Sequence, residues 1–211
     1  MIFFDLDGTL LDSNGVWLNV DNEFLGRRGL KPTQEYVFAV GHSIFPVAAQ
    51  YTKDYYHLED SPQSIMDEWR ALAFDSYSHT IPLKPGAQEL LALLQLQGHR
   101  MTLLTASHPD LCHAAVTHHK LSPYFEELFF AQDHGLEKRD PEIYRIAAAH
   151  FGVSPAHCVL LEDAPDNCLA ARNAGFTVIG VYDDFYETRW SEVVQNSHHS
   201  VKTLEELLPF V

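Results

Sequence analysis

The sequence predicts an α/β fold: a doubly wound parallel sheet with a helical domain inserted after its first strand. Three observations predict it. The chain opens on a short apolar run, residues 2–4, that breaks into Asp-Leu-Asp-Gly. Residues 15–80 then carry Trp, Tyr and Phe at helical spacing and hold no convincing strand. From Pro85 onward, short apolar runs alternate with helical segments, the pattern of parallel strands joined by right-handed crossovers.

The elements follow in order. Ile2-Phe3-Phe4 reads as a buried strand ending in a turn. Breaks at Gly29, Pro32, Gly41 and Pro62 divide the insert into three or four helices. Residues 86–97, rich in Leu and Ala and followed by Gly98, predict a helix with a glycine stop. Residues 100–105 (RMTLLT) predict the second strand, and 109–120 a helix with proline in its first turn. A short strand over 128–131 and a helix over 141–151, ended by Gly152, come next. Residues 158–161 (CVLL) predict the fourth strand, 165–174 a helix stopped by Gly175, and 177–181 (TVIGV) the fifth strand. A last helix is expected over 203–208. The expected division is a core of residues 1–13 and 83–211 and a helical domain of 14–82.

The chain has 211 residues, 46% of them hydrophobic, and a formal net charge of −15. That apolar content builds an ordinary core without metal or disulfide staples. The charge argues against a nucleic acid or an anionic membrane as main partner. No apolar run approaches the roughly 20 residues of a membrane helix, so a cytoplasmic protein is expected, either a monomer or a weak homodimer. Cys112, Cys158 and Cys168 form no CxxC pair and read as packing residues. The thirteen histidines include the pairs His118-His119 and His198-His199 but no HExxH pattern.

In an open parallel sheet, ligands bind beyond the carboxyl ends of the strands. The residues predicted there are Asp5, Asp7 and Thr9 after strand one, and Thr105, Ala106 and Ser107 after strand two. Lys138 follows strand three, Glu162 and Asp163 strand four, and Asp183 and Asp184 strand five. These types suit phosphoryl transfer. One carboxylate can attack phosphorus, and a second, two residues on, can share its face in extended chain and move protons. A hydroxyl and backbone N–H groups can hold phosphate oxygens, and a lysine can neutralise shared charge. Each pair of like charges about 4 Å apart costs roughly 4 kcal/mol at an effective dielectric of about 20. Lys138 alone cannot offset several such pairs, so a divalent cation with oxygen ligands is expected, magnesium above all.

FDLDGTLLDS at 4–13 resembles the first motif of the haloacid dehalogenase superfamily, Asp-x-Asp-x-Thr after an apolar strand. LLTAS at 103–107, EKRDPEIY at 137–144 and LLEDAPDN at 160–167 resemble its second, third and fourth motifs, in order and across the whole chain. The resemblance implies a Rossmann-like core with an inserted α-helical cap, as in the phosphoglycolate phosphatase and β-phosphoglucomutase group. It implies a phosphatase that hydrolyses a small phosphorylated metabolite through an aspartyl-phosphate. By resemblance Asp5 is nucleophile and metal ligand, and Asp7 is general acid and base and lends its backbone carbonyl to the metal. Thr105 and the Ala106 amide hold phosphate together with Lys138. Asp163 ligates Mg2+, Glu162 is ligand or support, and Thr9 and Asn167 stand behind them. Two positions depart from the pattern: Arg139 replaces a common proline, and Asn167 a common aspartate.

Plainer roles compete at several positions. Ser107 is expected to cap the following helix, Asp166 to complement its helix N-terminus, and Asp183 and Asp184 to be solvated loop acids. Arg139 divides evenly between substrate contact and surface. In the insert, Asn14, Trp17, His42, Ser43, Lys53 and Arg70 are candidate substrate contacts, and Trp17, Tyr51, Tyr55 and Tyr56 also fit simple packing. The rival functions are a phosphomutase of the β-phosphoglucomutase type, which shares all four motifs, and a non-catalytic binding protein. A dehalogenase is opposed by Asp7, since that branch lacks the second aspartate.

Overall fold

The computed structural model describes residues 1–40 and 45–211. The break expected at Gly41 and the candidates His42 and Ser43 lie outside the described residues. The chain forms two compact units, one of residues 1–14 and 81–211 and the other of 15–80.

The first unit is built on six parallel strands: β1 (Ile2–Phe4), β2 (Met101–Thr105), β3 (Leu128–Phe130), β4 (Val159–Glu162), β5 (Thr177–Val181) and β6 (His199–Val201). They lie in the order β3-β2-β1-β4-β5-β6, and every adjacent pair is parallel. The chain winds outward from β1 to β3, returns to the other side of β1, and winds outward again to β6. The reversal therefore falls between β1 and β4, where Phe4 is level with Leu161. There the connections leave in opposite directions and open a crevice at the strand ends. This is the expected Rossmann-like, doubly wound sheet.

The central strands are apolar because neighbours cover both their faces. Phe3, Leu104, Leu160 and Val178 pack on one face against Ile143, Tyr144, Ala147, Cys168, Ala171 and Val193. Those partners come from three helices of this unit, residues 141–150, 165–174 and 190–196. Burying a side chain the size of Phe3 contributes roughly 1.5–3 kcal/mol.

Three features differ from what the sequence predicts. Strand β6 and the helix Trp190–Asn196 were not foreseen. β6 is three residues long and its first two are exposed, so it carries no apolar alternation. The expected terminal helix is a 3-10 turn, Leu204–Phe210, with Pro209 inside it; proline removes a donor the α-helical ladder needs. The fourth strand starts at Val159 and takes in Glu162.

Where the chain leaves and re-enters this unit, the two passes pair. Asp12 N donates to Pro82 O at 3.0 Å, and Lys84 N to Leu10 O at 2.8 Å.

Among its described residues, the second unit holds four helices: α1 (Val16–Gly26), α2 (Gln34–Val40), α3 (Phe45–Tyr56) and α4 (Pro62–His79). Ser61 caps α4 by accepting from Ser64 N, with Pro62 in the first turn. Trp69 is sandwiched edge-on by Phe24 and Phe45, and Tyr36 is ringed by Tyr51, Tyr55 and Tyr56. Beneath that ring, Tyr36 Oη donates to the buried Asp21 at 2.9 Å and lies 3.1 Å from Thr52 Oγ1, which donates to Ala48 O. Among the described residues, no helix is long and apolar enough to cross a membrane.

Candidate active site

β1 ends at the reversal point and delivers Asp5 there. Asp5 N donates to Leu161 O at 3.0 Å, which carries the pairing with β4 one step past the last strand residue of β1. Asp5 thereby comes level with Glu162. The chain then turns through Gly8, whose φ of +83° is natural only to glycine. An added Cβ would lie 2.1 Å from Asp163 Oδ2, so glycine also permits the close approach of this turn to β4.

One carboxylate oxygen each from Asp5, Glu162 and Asp163 lies within 4.8 Å of the others, and all three residues are buried. Lys138 arrives from the segment after β3, itself only 3% exposed. Its ammonium donates to Asp5 Oδ1 at 2.5 Å and lies 2.6 Å from Glu162 Oε2, the second contact being an ion pair without hydrogen-bond geometry. Glu162 Oε1 accepts from Ala164 N at 3.1 Å and from Asn167 Nδ2 at 3.2 Å. Thr9 Oγ1 lies 3.4 Å from Asp163 Oδ1.

The electrostatics are unbalanced. Burial, then Glu162, raise the Asp5 carboxyl to about 8 despite the opposing pull of Lys138. Burial, Glu162, Asp5 and Asp183 hold Asp163 well above the ordinary carboxylate range. Burial would lower Lys138, but Asp5 and Glu162 outweigh it and keep the ammonium protonated. Three carboxylates share one buried cation, which leaves two net negative charges when all are ionised. An all-oxygen, carboxylate-rich donor set of this kind fits a hard divalent cation such as magnesium.

Asp7 is half-buried and accepts from Ser13 Oγ at 2.6 Å. Its carboxylate is not part of the three-residue cluster. Thr105 ends β2, buried, and its Oγ1 accepts from Ser107 N at 2.9 Å, which leaves its own O–H to donate. Ala106 is exposed beside it.

Several plainer expectations change. Ser107 is not the helix cap: His108 is, its Nδ1 accepting from Asp110 N at 3.4 Å, because the cap falls immediately before Pro109. Asp183 is not solvated but 4% exposed, while Asp184 is exposed as expected. Asp166 stands in the first turn of the helix 165–174, as expected, and also pairs with Arg189 at 2.9 Å. Arg139 is exposed and pairs with Glu137. Within the helical unit, Lys53 Nζ donates to Asp60 O at 2.8 Å, and Trp17 packs edge-on against Phe45.

Sequence reasoning missed Lys84. Its ammonium donates to Gly8 O at 3.0 Å, Tyr182 O at 2.7 Å and Asp183 Oδ2 at 2.7 Å. A lysine before Pro-Gly carries no local signal of this. Asn14, a candidate substrate contact, uses its amide within the site, donating to Asp163 Oδ2 at 2.9 Å and Asp183 Oδ1 at 3.1 Å.

The family model of the haloacid dehalogenase-like hydrolases matches residues 1–175. Among curated proteins, hexitol phosphatase B of Escherichia coli (strain K12) is 29% identical over 173 residues, covering 81% of this chain and 78% of its own. Phosphoglycolate phosphatase of Nitrosococcus oceani is 27% identical over 186 residues, covering 85% and 82%. Among solved structures, a family IA hydrolase from Entamoeba histolytica superposes with a TM-score of 0.81 at 23% identity, over 97% of this chain and 93% of that one. A β-phosphoglucomutase from Clostridium difficile does so with a TM-score of 0.76 at 19% identity, over 98% and 92%.

Proposed function

The chain belongs to the haloacid dehalogenase-like hydrolase family, and on that premise we propose that it is a magnesium-dependent phosphatase of small phosphate monoesters. The observation that carries this reading is the buried Asp5 carboxylate, bonded to Lys138 and within reach of Glu162 and Asp163 at the reversal of the sheet.

Asp5 attacks phosphorus and becomes an aspartyl-phosphate, which splits one hard displacement into two easier ones. Lys138 holds Oδ1 and so fixes the orientation of the attacking carboxylate, and its charge offsets part of what accumulates between nucleophile and phosphoryl group. Glu162 holds the ammonium from the other side, while Ala164 N and Asn167 hold Glu162. Asp7, steadied by Ser13, protonates the leaving oxygen and then takes a proton from the water that cleaves the intermediate. The Thr105 hydroxyl and the Ala106 amide bind phosphate oxygens.

Asp5, the Asp7 carbonyl and Asp163 are the residues that would hold magnesium. When bound, it supplies the positive charge that lets a phosphate dianion approach three carboxylates.

Hexitol phosphates and phosphoglycolate, the compounds for which two of these relatives are named, are the first substrates to test. The test is phosphate release from a panel of phosphorylated sugars, sugar alcohols and short acids, with magnesium and with a chelator. Release from members of the panel, abolished by chelation, supports the reading. No release from any of them or from an aryl phosphate, or release indifferent to chelation, overturns it. Isomerised sugar phosphate in place of free phosphate would assign the chain to the mutases.

A further inference from the structure

Three residues at this sheet edge have no part in the chemistry above: Asn14, Lys84 and Asp183. We propose that Asn14 is a positioning residue for the metal ligand Asp163, and that Asp183, neutralised by Lys84, holds Asn14 in place.

The side-chain amide of Asn14 faces two carboxylates, so it presents its NH2 group to both. One hydrogen goes to Asp163 Oδ2 at 2.9 Å and the other to Asp183 Oδ1 at 3.1 Å. Thr9 Oγ1 also reaches this carboxylate, at the longer distance of 3.4 Å. Asn14 is therefore the stronger restraint on that carboxylate. An amide orients without bringing a charge. A lysine or arginine here would compete with a cation for the charge of Asp163, whereas asparagine leaves that charge intact.

Asp183 is suited to hold Asn14 because it is itself pinned. Its Oδ1 also accepts from Phe185 N at 3.0 Å, and its Oδ2 accepts from Lys84 at 2.7 Å. Lys84 spends its three hydrogens on Asp183, Tyr182 O and Gly8 O, so none remains for a substrate. The last of these bonds ties the turn that follows Asp5 to the loop after β5. Groups that stand behind metal ligands orient them, and losing one typically weakens metal binding about 10–100-fold.

The inference rests on the proposed role of Asp163. Its test is calorimetric titration of the substrate-free protein with magnesium chloride, for the wild type, Asn14→Ala, Asp183→Ala and the double variant. Asn14→Ala should weaken magnesium binding about 10-fold or more. Asp183→Ala should weaken it too, and the double variant should be no worse than Asn14→Ala, since the two act through one contact. Turnover at saturating magnesium should stay within roughly 3-fold of wild type, which separates lost metal affinity from lost chemistry. Should Asp183→Ala leave Lys84 uncompensated and the protein unfolded, Lys84→Met/Asp183→Ala removes both charges and takes its place.

Wild-type magnesium affinity in Asn14→Ala, or independent additive losses in the double variant, would overturn the relay while leaving the phosphatase reading intact. A wild-type protein that neither binds magnesium nor depends on it for phosphate release would overturn the metal reading and the relay together.

Discussion

Asp5 and Lys138 stand 133 positions apart in the chain, yet they share a 2.5 Å charge-assisted hydrogen bond between buried partners. Bonds of this kind are about twice as strong as neutral ones. Removing one partner exposes the other to the full cost of an uncompensated buried charge.

Asp5→Asn should therefore fold, because the amide oxygen still accepts from Lys138, yet show no turnover of a generic aryl phosphate. A carboxamide is not a competent nucleophile toward phosphorus. Steady-state phosphate release from a variant of wild-type circular dichroism checks this, and retained activity would move the nucleophile elsewhere.

Lys138→Ala should lower turnover by on the order of 10²-fold or more. It should also destabilise the protein more at pH 8 than at pH 5. Without the ammonium, Asp5 loses the pull that opposes burial and is held more firmly in its protonated form in the folded state, so stability present at low pH is lost as pH rises. Denaturant melts at the two pH values read the difference; an equal loss at both would argue that Lys138 does not neutralise this pair.

Magnesium should raise the melting temperature, and by more at pH 8 than at pH 5. The folded protein holds protons on Asp5, raised to about 8, and on Asp163 that the unfolded chain releases near pH 4. The metal-free fold thus weakens as pH climbs through that window, while a cation that replaces those protons binds better. Melting curves with chelator and with magnesium at both pH values test this, and a constant increment would contradict it.

Gly8→Ala should cost about 1–2 kcal/mol from the left-handed backbone alone. Activity should fall further than stability, because the new methyl group collides with Asp163 Oδ2 and displaces it. Urea denaturation paired with kcat measures both; unimpaired activity would show that Asp163 has room to move.

In the helical unit, Asp21→Asn should stabilise the protein above pH 6 and flatten its pH dependence between 4 and 6. Burial raises the Asp21 carboxyl to about 6, against the pull of its bond from Tyr36. A folded value above the unfolded one means stability is present at acid pH and lost as pH rises through the window, by at most about 3 kcal/mol. Once protonated, Asp21 can donate to Tyr36 in turn, Tyr36 to Thr52, and Thr52 to Ala48 O, so the hydroxyl chain stays paired in the neutral form. Asparagine can donate in the same way at any pH. An unchanged stability profile would place the titration elsewhere.

Much of this was legible in the sequence because strand ends, helix stops and acidic motifs are local. The run Ile2–Phe4 announces β1, Pro165 and Gly175 bracket a helix, Asp5, Glu162 and Asp163 stand where strands end, and Lys138 lies in a motif after β3. What was not legible depends on distance. Nothing near Lys84 reveals that its ammonium reaches Tyr182 and Asp183, and nothing near Asp183 reveals that it is buried. β6 escaped because an edge strand of three residues needs no apolar alternation.

The bonds from Asp12 to Pro82 and from Lys84 to Leu10 hold the exit and the return of the polypeptide side by side. With the gap held closed, lengthening the excursion beyond it costs the sheet little, about 0.6 kcal/mol for each doubling of a flexible segment. The doorway is thus indifferent to what is hung on it. Segments of quite different size and ancestry could be grafted between residues 14 and 81 while Asp5 keeps its neighbours.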